Sequence, residues 1–508
     1  MMSLEHDHKH KLSISELRGI TLVVLGSLAL AFYYAWWFQE GRLTSPWLIL
    51  GFAAAILYSG MQIWGSWLVY LATHHRSTNA YAPNTGLTVD VFVTSCGEDY
   101  LLIEKALTAA CAMRGEHRTW LLDDGKDPVL AQLAIRLNVG YLTRQDHRDA
   151  KAGNINAALA RTDGGVIVIF DIDHVPTPDF LEQTLSYFAD PEIGFVQVMP
   201  TFSNVKQSWV ARAAAETSLD FYNPTSKGMD GLSSVTKMGS NSLVRRTALA
   251  SIGGYQSGLA EDLATSIALH AAGWRSAYVA EPLAPGLAPP DIAAWFTQQF
   301  KWSRGVFELL LTAYPRFFTQ LTWGQRLSYA VRMTKYCIGP VIFVHLALTI
   351  AVLIGGNNSA RADLQQYFVH LLPVAIADML IRQLALRRWR HPAIFAGSMW
   401  RAVILVYATW PIYTLAWIMA LLRLPLTFRP TPKNLTGDLN PVWLLPQMVT
   451  ILLLASGMVY SLVILEEYSS SLLSYCFATL LGIPQLGLLV HPRSTANETD
   501  TLGHSLSS

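Results

Sequence analysis

The chain has 508 residues, of which 52% are hydrophobic and only 14% charged, against about 25% charged in ordinary globular domains. A net charge of +1 gives no sign of a polyanion partner, so no nucleic-acid partner is expected. The four cysteines, Cys96, Cys111, Cys337 and Cys476, have no CxxC spacing, which leaves neither a disulfide framework nor a zinc site indicated.

In chain order, the leader HDHKHK has the histidines to bind a metal but reads first as a solvated tail. Residues 19–38 and 47–71 are each apolar over the length of about 20 helical residues that crosses a bilayer core. No small-residue cleavage signature separates them, so the first is read as an anchor rather than a removed signal peptide. From Asn79 to about Tyr314, charge is mixed with short apolar runs as in a soluble domain. Apolar segments return near 336–355, 366–386, 402–422, 442–465 and 471–490. The expected architecture is a soluble domain inserted between two membrane blocks.

Within the insert, TVDVFVTS (88–95) predicts a strand by its alternation and β-branched content, and DYLLIEKALTAACAM a helix. TWLL ends at Asp123 and Asp124 and precedes a helical PVLAQLAIRL; KAGNINAALAR is helical again, and GVIVIF runs into Asp171. Such alternation predicts an α/β domain with a mostly parallel sheet covered on both faces. Ligands of these sheets sit beyond the carboxyl ends of the strands, and Glu98, Asp123 and Asp171 all fall at or just past that edge. In VIVIFDIDH (166–174), strand alternation puts Asp171 and Asp173 on one face, where they repel unless a cation sits between them. No GxGxxG or GxxxxGK[ST] loop follows the first strand. Phosphate binding is therefore expected from Mg2+ or Mn2+ on Asp171 and Asp173, with Lys151 of KAGN as an added point charge.

Residues 402–422 are long enough to span, yet Arg387, Arg388 and Arg390 precede them and Arg423, Arg429 and Lys433 follow. A spanning helix would put one basic cluster outside, against the positive-inside rule. An interfacial or re-entrant helix bent at Pro411 is expected instead, leaving six spanning helices, both termini in the cytosol and the loop EEYSS (466–470) outside.

DDG (123–125), HRDAKAGNINAAL (147–159), FDIDHVPTPDFL (170–181), AEDLATSIALHAAGW (260–274), QQFKW (298–302) and FRPTPK (428–433) have an order and spacing that resemble the processive family 2 glycosyltransferases of the cellulose synthase type. The resemblance runs from about residue 88 to 440. It implies a GT-A glycosyltransferase domain, an α/β fold with a mostly parallel nucleotide-binding sheet, inserted in an α-helical multi-pass membrane domain. The expected divisions are a tail and two spanning helices over 1–75, the cytosolic GT-A domain over 76–330, and two spanning helices over 331–390. An interfacial helix and gating loop over 391–440, two more spanning helices over 441–492 and a cytosolic tail over 493–508 complete them.

By that resemblance Asp123 contacts the uracil end of a UDP-sugar, Lys151 lies near the nucleotide, and Asp171 and Asp173 hold the metal and diphosphate; Glu98 joins them at the donor edge. Asp262 of AED, where the family has TED, inherits the role of catalytic base, the one carboxylate that an inverting transfer needs to take the acceptor proton. QQFKW resembles Q-x-x-R-W beside the acceptor end, with Gln298, Lys301 and Trp302 on one helical face. Lys301 stands where the family has Arg, which loses the bidentate phosphate contact, and Ala260 replaces Thr. FRPTPK resembles the gating loop F-x-V-T-x-K and offers Phe428, Thr431 and Lys433; Pro430 replaces Val, and Pro432 stiffens the loop further.

The implied function is synthesis of a cellulose-like β-glucan from a UDP-sugar, UDP-glucose favoured, and its export across the plasma (inner) membrane. The implied partners are the growing polysaccharide, the lipid bilayer and a periplasmic or accessory synthase subunit, with the catalytic domain cytosolic. The chain ends soon after its last apolar segment, at HPRSTANETDTLGHSLSS, which leaves no room for the C-terminal cyclic-di-GMP-binding domain of many bacterial cellulose synthases. A β-1,3- or mixed-linkage glucan or another β-glycan stays open. So do a single-sugar transfer to a lipid carrier and a transporter with a nucleotide-sensing domain. QQFKW and FRPTPK favour a polymer, because single transfer needs no device that holds a chain end.

Overall fold

The computed structural model describes residues 14–39, 46–73, 86–355, 363–388, 399–426, 440–466 and 472–490. The strands are β1 (Val89–Ser95), β2 (Arg118–Asp123), β3 (Gly140–Leu142), β4 (Val166–Asp171), β5 (Ile193–Val198), β6 (Thr201–Phe202), β7 (Ser242–Arg245), β8 (Arg275–Val279) and β9 (Pro285–Gly286). Seven of them form one sheet in the order β3-β2-β1-β4-β7-β5-β8. All neighbours run parallel except β7, which is antiparallel to both β4 and β5.

β1 is buried along its whole length, as a strand covered on both faces is, and its valines and Phe92 fill the two layers. Val91 and Val93 face a layer with Ile103, Leu107, Leu133, Val168 and Phe170. Phe92, between them, faces the opposite layer with Ile155, Ile167, Ile169, Phe195 and Leu269. The first layer lies under the helices Tyr100–Cys111 and Pro128–Arg136, the second under Ala150–Leu159 and Glu261–Ala271. Asp99 caps the first of these helices through the Leu101 and Leu102 amides, and Asp127, before Pro128, caps the second.

Among the described residues, six helical stretches are long and apolar enough to cross a membrane: Ser15–Trp37, Ile49–Leu71, Trp323–Gly355, Leu364–Leu386, Pro441–Val463 and Leu472–Val490. The 402–422 segment forms two helices, Trp400–Ala408 and Trp410–Leu421, bent by 42°; taken as one span they would add a seventh. The break falls at Thr409, two residues before the expected Pro411. Pro411 has no N–H to give to the carbonyl of Tyr407, so the ladder fails one turn upstream of the ring.

The α/β domain meets the membrane helices without an intervening gap. A Cβ on Gly228 would sit 2.1 Å from the Val69 carbonyl oxygen, so only glycine allows the two backbones to approach there. Asp220, at the end of helix Trp209–Asp220, accepts from the Tyr70 hydroxyl at 3.0 Å and from Arg382 at 2.7 Å. Arg382 also pairs with Asp378, which accepts the Trp67 indole N–H at 2.9 Å. Two spanning helices and the soluble domain thus share one polar network.

Candidate active site

Sheet register brings the expected residues to one edge: Ser95 pairs with Asp123, and Thr94 with Asp171. Above that edge lies a cavity of about 630 Å³. It is lined by Ser95, Glu98, Asp124 and Lys151, by Asp171, Asp173, Asp262 and Trp302, and by membrane-helix residues such as Tyr336, Ile338 and Tyr413. Gln298 and Lys301 line it too. Eight of the twelve residues singled out in the sequence therefore meet in one space: Glu98, Lys151, Asp171, Asp173, Asp262, Gln298, Lys301 and Trp302. Phe428, Thr431 and Lys433 lie outside the described residues.

Asp123 does not reach the cavity, a correction to its expected contact with the donor base. It is fully buried; Oδ1 accepts the Gly125 amide at 2.7 Å, and Oδ2 accepts the Asp127 amide and the Tyr141 hydroxyl, both at 2.8 Å. Those bonds fold the turn that carries Asp124 into the cavity wall. Asp124 is gripped by Arg144 through two bonds of 2.6 and 2.7 Å, both side chains being 8% exposed. This contact holds the Arg144 guanidinium above its usual range. Arg144 also donates to the Arg148 and Ala150 carbonyls at 2.6 and 2.7 Å. It thereby pins Asp149 and Ala150, both in the left-handed region at φ 60° and 41°. Gly153 is required beneath: a Cβ there would come within 2.3 Å of the Arg148 carbonyl and of Arg144 Nη1. Lys151 follows this turn directly, so KAGN is a motif built on its own backbone.

Glu98 bends back to accept the Cys96 amide at 2.6 Å and the Ser95 hydroxyl at 3.1 Å, which shapes the loop after β1. Lys151 Nζ pairs with Asp171 and donates to the Gly239 carbonyl at 2.6 Å. Burial alone would pull the Lys151 ammonium down, but Asp171, Glu261 and Asp262 together hold it above its usual value. Burial likewise favours a neutral Asp171, and Lys151 overrides it, keeping the carboxyl below the usual range.

β4 ends at Asp171, so a turn and not strand alternation sets Asp173 beside it. Asp173 is 3% exposed, and its Oδ1 lies 3.3 Å from His174 Nδ1. Asp171, Asp173 and His174 each offer a ligand atom within 4.8 Å of the others. Two carboxylates that border one cavity suit Mg2+ or Mn2+ completed by substrate phosphates; an imidazole third ligand fits Mn2+ better than Mg2+. His174 stands in DIDH and carried no role in the sequence reading.

The segment 237–241 links the two acidic ends of the site. Ser240 Oγ accepts the Asp171 amide at 3.0 Å, and Gly239, at φ +86°, presents its carbonyl to Lys151. The Lys237 amide donates to Ser266 Oγ at 2.8 Å, and Ser266 in turn donates to the Asp262 carbonyl at 2.7 Å. Asp262 thus stands in the first turn of helix Glu261–Ala271, with Oδ1 accepting the Leu263 amide at 2.8 Å. Next to it, Glu261 is pushed up to about 7 by burial and by the Asp262 charge. The buried Lys237 ammonium, against the rings of Tyr255 and Phe195, is pulled down to about 7 by burial and donates to Ser242 Oγ at 2.6 Å. No pattern in VTKMGSNS marked Lys237 beforehand.

Helix Ile292–Leu311 carries Gln298, Lys301 and Trp302. It is fixed to the bent helix pair at three levels. Trp295 Nε1 donates to Thr409 Oγ1 at 2.9 Å, the Tyr413 hydroxyl donates to Gln299 at 3.0 Å, and Arg304 donates to the Leu424 carbonyl at 3.0 Å. Trp302 remains 37% exposed within the cavity, its ring free to take a planar partner.

Residues 87–305 match the model of the family described as glycosyltransferase like family 2. The chain is 32% identical to Cellulose synthase 1 of Komagataeibacter xylinus over 372 residues, 70% of this chain and 24% of that protein. It is 32% identical to the UDP-forming cellulose synthase catalytic subunit of Pseudomonas fluorescens (strain SBW25) over 337 residues, 65% of this chain and 45% of that one. The chain thus spans less than half the length of these relatives. Among solved structures, the mannosyltransferase PcManGT from Pyrobaculum calidifontis in complex with GDP-Man and Mn2+ superposes with a TM-score of 0.49 at 16% identity, covering 74% of this chain and 99% of that one. With its family 2 glycosyltransferase domain set among membrane helices, the chain is cellulose synthase-like at the level of the family.

Proposed function

We propose that the protein is an inverting, processive glycosyltransferase that polymerises a β-glycan, a β-glucan from UDP-glucose by preference, and passes it into the membrane. The observation that carries this reading is the single cavity that joins Asp124, Asp171 and Asp262 of the soluble domain to Tyr336 and Tyr413 of the membrane helices. A single transfer to a soluble acceptor needs no such continuation. The cellulose synthase relatives and the QQFKW helix support the same reading.

In this reading Asp124 and Glu98 border the nucleoside, Lys151 meets the donor diphosphate, and Asp123 shapes the turn beneath. Asp171 and Asp173, with His174, would hold Mg2+ or Mn2+, which when bound supplies positive charge to the departing diphosphate. Asp262 takes the proton of the attacking acceptor hydroxyl at its free carboxylate oxygen, while the Leu263 amide keeps the other oxygen oriented. One base without a nucleophile inverts an α-linked donor and gives a β linkage. Trp302 stacks on the terminal sugar, and Lys301 balances the diphosphate. The catalytic domain then faces the cytosol, with residues 428–433 as the gating loop.

Incorporation of radiolabelled UDP-glucose by the purified protein tests the reading. A polymer digested by β-1,4- or β-1,3-glucanase is expected and fixes the linkage. Release of only a singly glycosylated lipid would replace the processive reading by transfer to a lipid carrier.

A further inference from the structure

Beside Asp262, the turn from Lys237 to Ser242 is closed on itself. Lys237 Nζ donates across it to Ser242 Oγ at 2.6 Å. Gln197 of β5 clamps its middle: Oε1 accepts the Met238 amide and Nε2 donates to the Ser240 carbonyl, both at 2.9 Å. Gly239 stands between these anchors at φ +86°, and a Cβ there would lie 4.0 Å from Asp262 Oδ2. The Leu263 amide occupies the other carboxylate oxygen, so the turn is the wall that Oδ2 rests against. The Lys237 amide reaches the Asp262 carbonyl as well, through Ser266.

Lys237, Gln197 and Ser242 are fully buried. Closing the turn needs only a neutral donor, whereas a buried ammonium is costly unless opposite charge lies near. Glu261 and Asp262, in the first turn of helix Glu261–Ala271, supply that charge; Lys151, which donates to the Gly239 carbonyl, opposes it. The other charges around the cluster are Lys301, which acts on Glu261, and Asp171, which acts on Tyr255. His270 of the same helix is held by Tyr329 and Ser276 and, pulled down to about 3 by burial, stays uncharged. β5 and β7 meet Lys237 with the neutral Phe195 and Ser242. We infer that Lys237 is a positioning residue for the transfer: its ammonium is the buried counter-charge of the Glu261–Asp262 pair and anchors the turn against which Asp262 rests. This rests on the reading of Asp262 as the base. Without that charge the pair keeps a proton to higher pH, and a base that holds a proton cannot take one from the acceptor.

The test follows incorporation of radiolabelled UDP-glucose into polymer by the full chain in phosphatidylcholine nanodiscs with Mn2+, as kcat and KM against pH. Lys237→Met removes the charge at similar volume, and Lys237→Gln removes it while keeping a donor for Ser242. In both, the acid limb of kcat should move up by about one pH unit, with KM for UDP-glucose within about twofold of wild type. Lys237→Arg keeps the charge, so its limb should stay in place even where its bulk lowers kcat at every pH. Calorimetric binding of UDP with Mn2+ checks that each variant is folded. An unmoved limb in the neutral variants, with kcat normal or lowered by one factor throughout, overturns the inference and leaves the synthase reading standing. A limb that moves equally in Lys237→Arg overturns it too, because charge is then not the cause. Loss of UDP binding in both neutral variants makes Lys237 a residue of the fold alone, which also overturns it. Failure of the wild-type chain to make polymer at any pH overturns the synthase reading, and the inference with it.

Discussion

Arg144→Ala is the most informative single perturbation of the donor end, because one side chain there performs two tasks. It neutralises Asp124 in a pair 8% exposed on each side, and it bonds the carbonyls of Arg148 and Ala150. Removing one partner of a buried pair costs about 3–5 kcal/mol, since the remaining charge is left without compensation. The two left-handed residues, Asp149 and Ala150, hold about 1–3 kcal/mol of strain each. Without Arg144 that strain is relieved by refolding the turn, which caps the stability loss near the lower end of the range. The relief displaces Lys151, so the damage moves into ligand binding. We expect a lower thermal midpoint and UDP affinity weakened at least about tenfold, equivalent to about 1.4 kcal/mol. Adding Asp124→Ala should restore part of the stability, about 1–3 kcal/mol, by deleting the stranded carboxylate, and restore none of the UDP affinity. Calorimetric titration of UDP with Mn2+ and thermal unfolding in detergent read both. An Arg144→Ala protein with wild-type midpoint and UDP affinity within twofold would refute the reasoning.

Asp262→Asn should bind UDP normally and lose about 10²–10⁴-fold in turnover; substantial synthesis by the folded variant would remove Asp262 from the chemistry. Asp173→Asn should weaken the Mn2+-dependent part of UDP binding, and an unchanged metal dependence in calorimetry would make Asp173 a turn residue only. Glu261, pushed up to about 7 by burial and Asp262, keeps a proton in the folded protein that the unfolded chain releases above about pH 4.3, so stability falls as pH rises from there to 7. Glu261→Gln should flatten that slope, raising the midpoint relative to wild type more at pH 8 than at pH 5; equal effects at both would refute the assignment. A cysteine at Leu424 in a cysteine-free background should label only from the cytosolic side, and external labelling would make the bent helix pair a seventh span.

The sequence made the left half of the sheet legible, because β1 and β4 are long and rich in β-branched residues, and β2 and β4 each end at an acid. β3 has three residues and β7 four, too short for alternation to register, and the antiparallel return of β7 depends on pairing alone. Motif order located most of the cavity, whereas of the DDG doublet, read as setting Asp123 at the donor, the structure places Asp124 in the cavity wall. Two carboxylates at a strand end look alike until the turn is folded: Asp123 spends its oxygens on backbone amides and Tyr141, and Asp124 faces outward. Arg144 escaped notice for a related reason, since its partner lies 20 residues upstream and no local pattern announces the pair. Lys237 and His174 were hidden differently, one in an unpatterned loop and the other inside a motif already explained by its two acids.

The bent helix pair was reached along two separate lines, and they constrain each other. Charge on both flanks argues against a crossing, and the structure shows how the break itself is accommodated. A broken helix at membrane depth is tolerated only where its freed backbone groups are met by protein. Ala408 and Thr409 are both fully buried; the Ala408 carbonyl accepts Gln447 Nε2 at 2.8 Å, and Thr409 Oγ1 accepts the Trp295 indole. Gln447 belongs to the helix Leu445–Val463 and Trp295 to the helix that carries Trp302. The break is therefore satisfied jointly by a spanning helix and by the acceptor helix. Straightening the pair into a span would strand Gln447 and Trp295 as buried polar groups, each costing about 1–3 kcal/mol. The same two bonds tie the acceptor platform to the membrane, so Trp302 is positioned by the bilayer-embedded part of the chain as much as by the sheet that holds the donor residues.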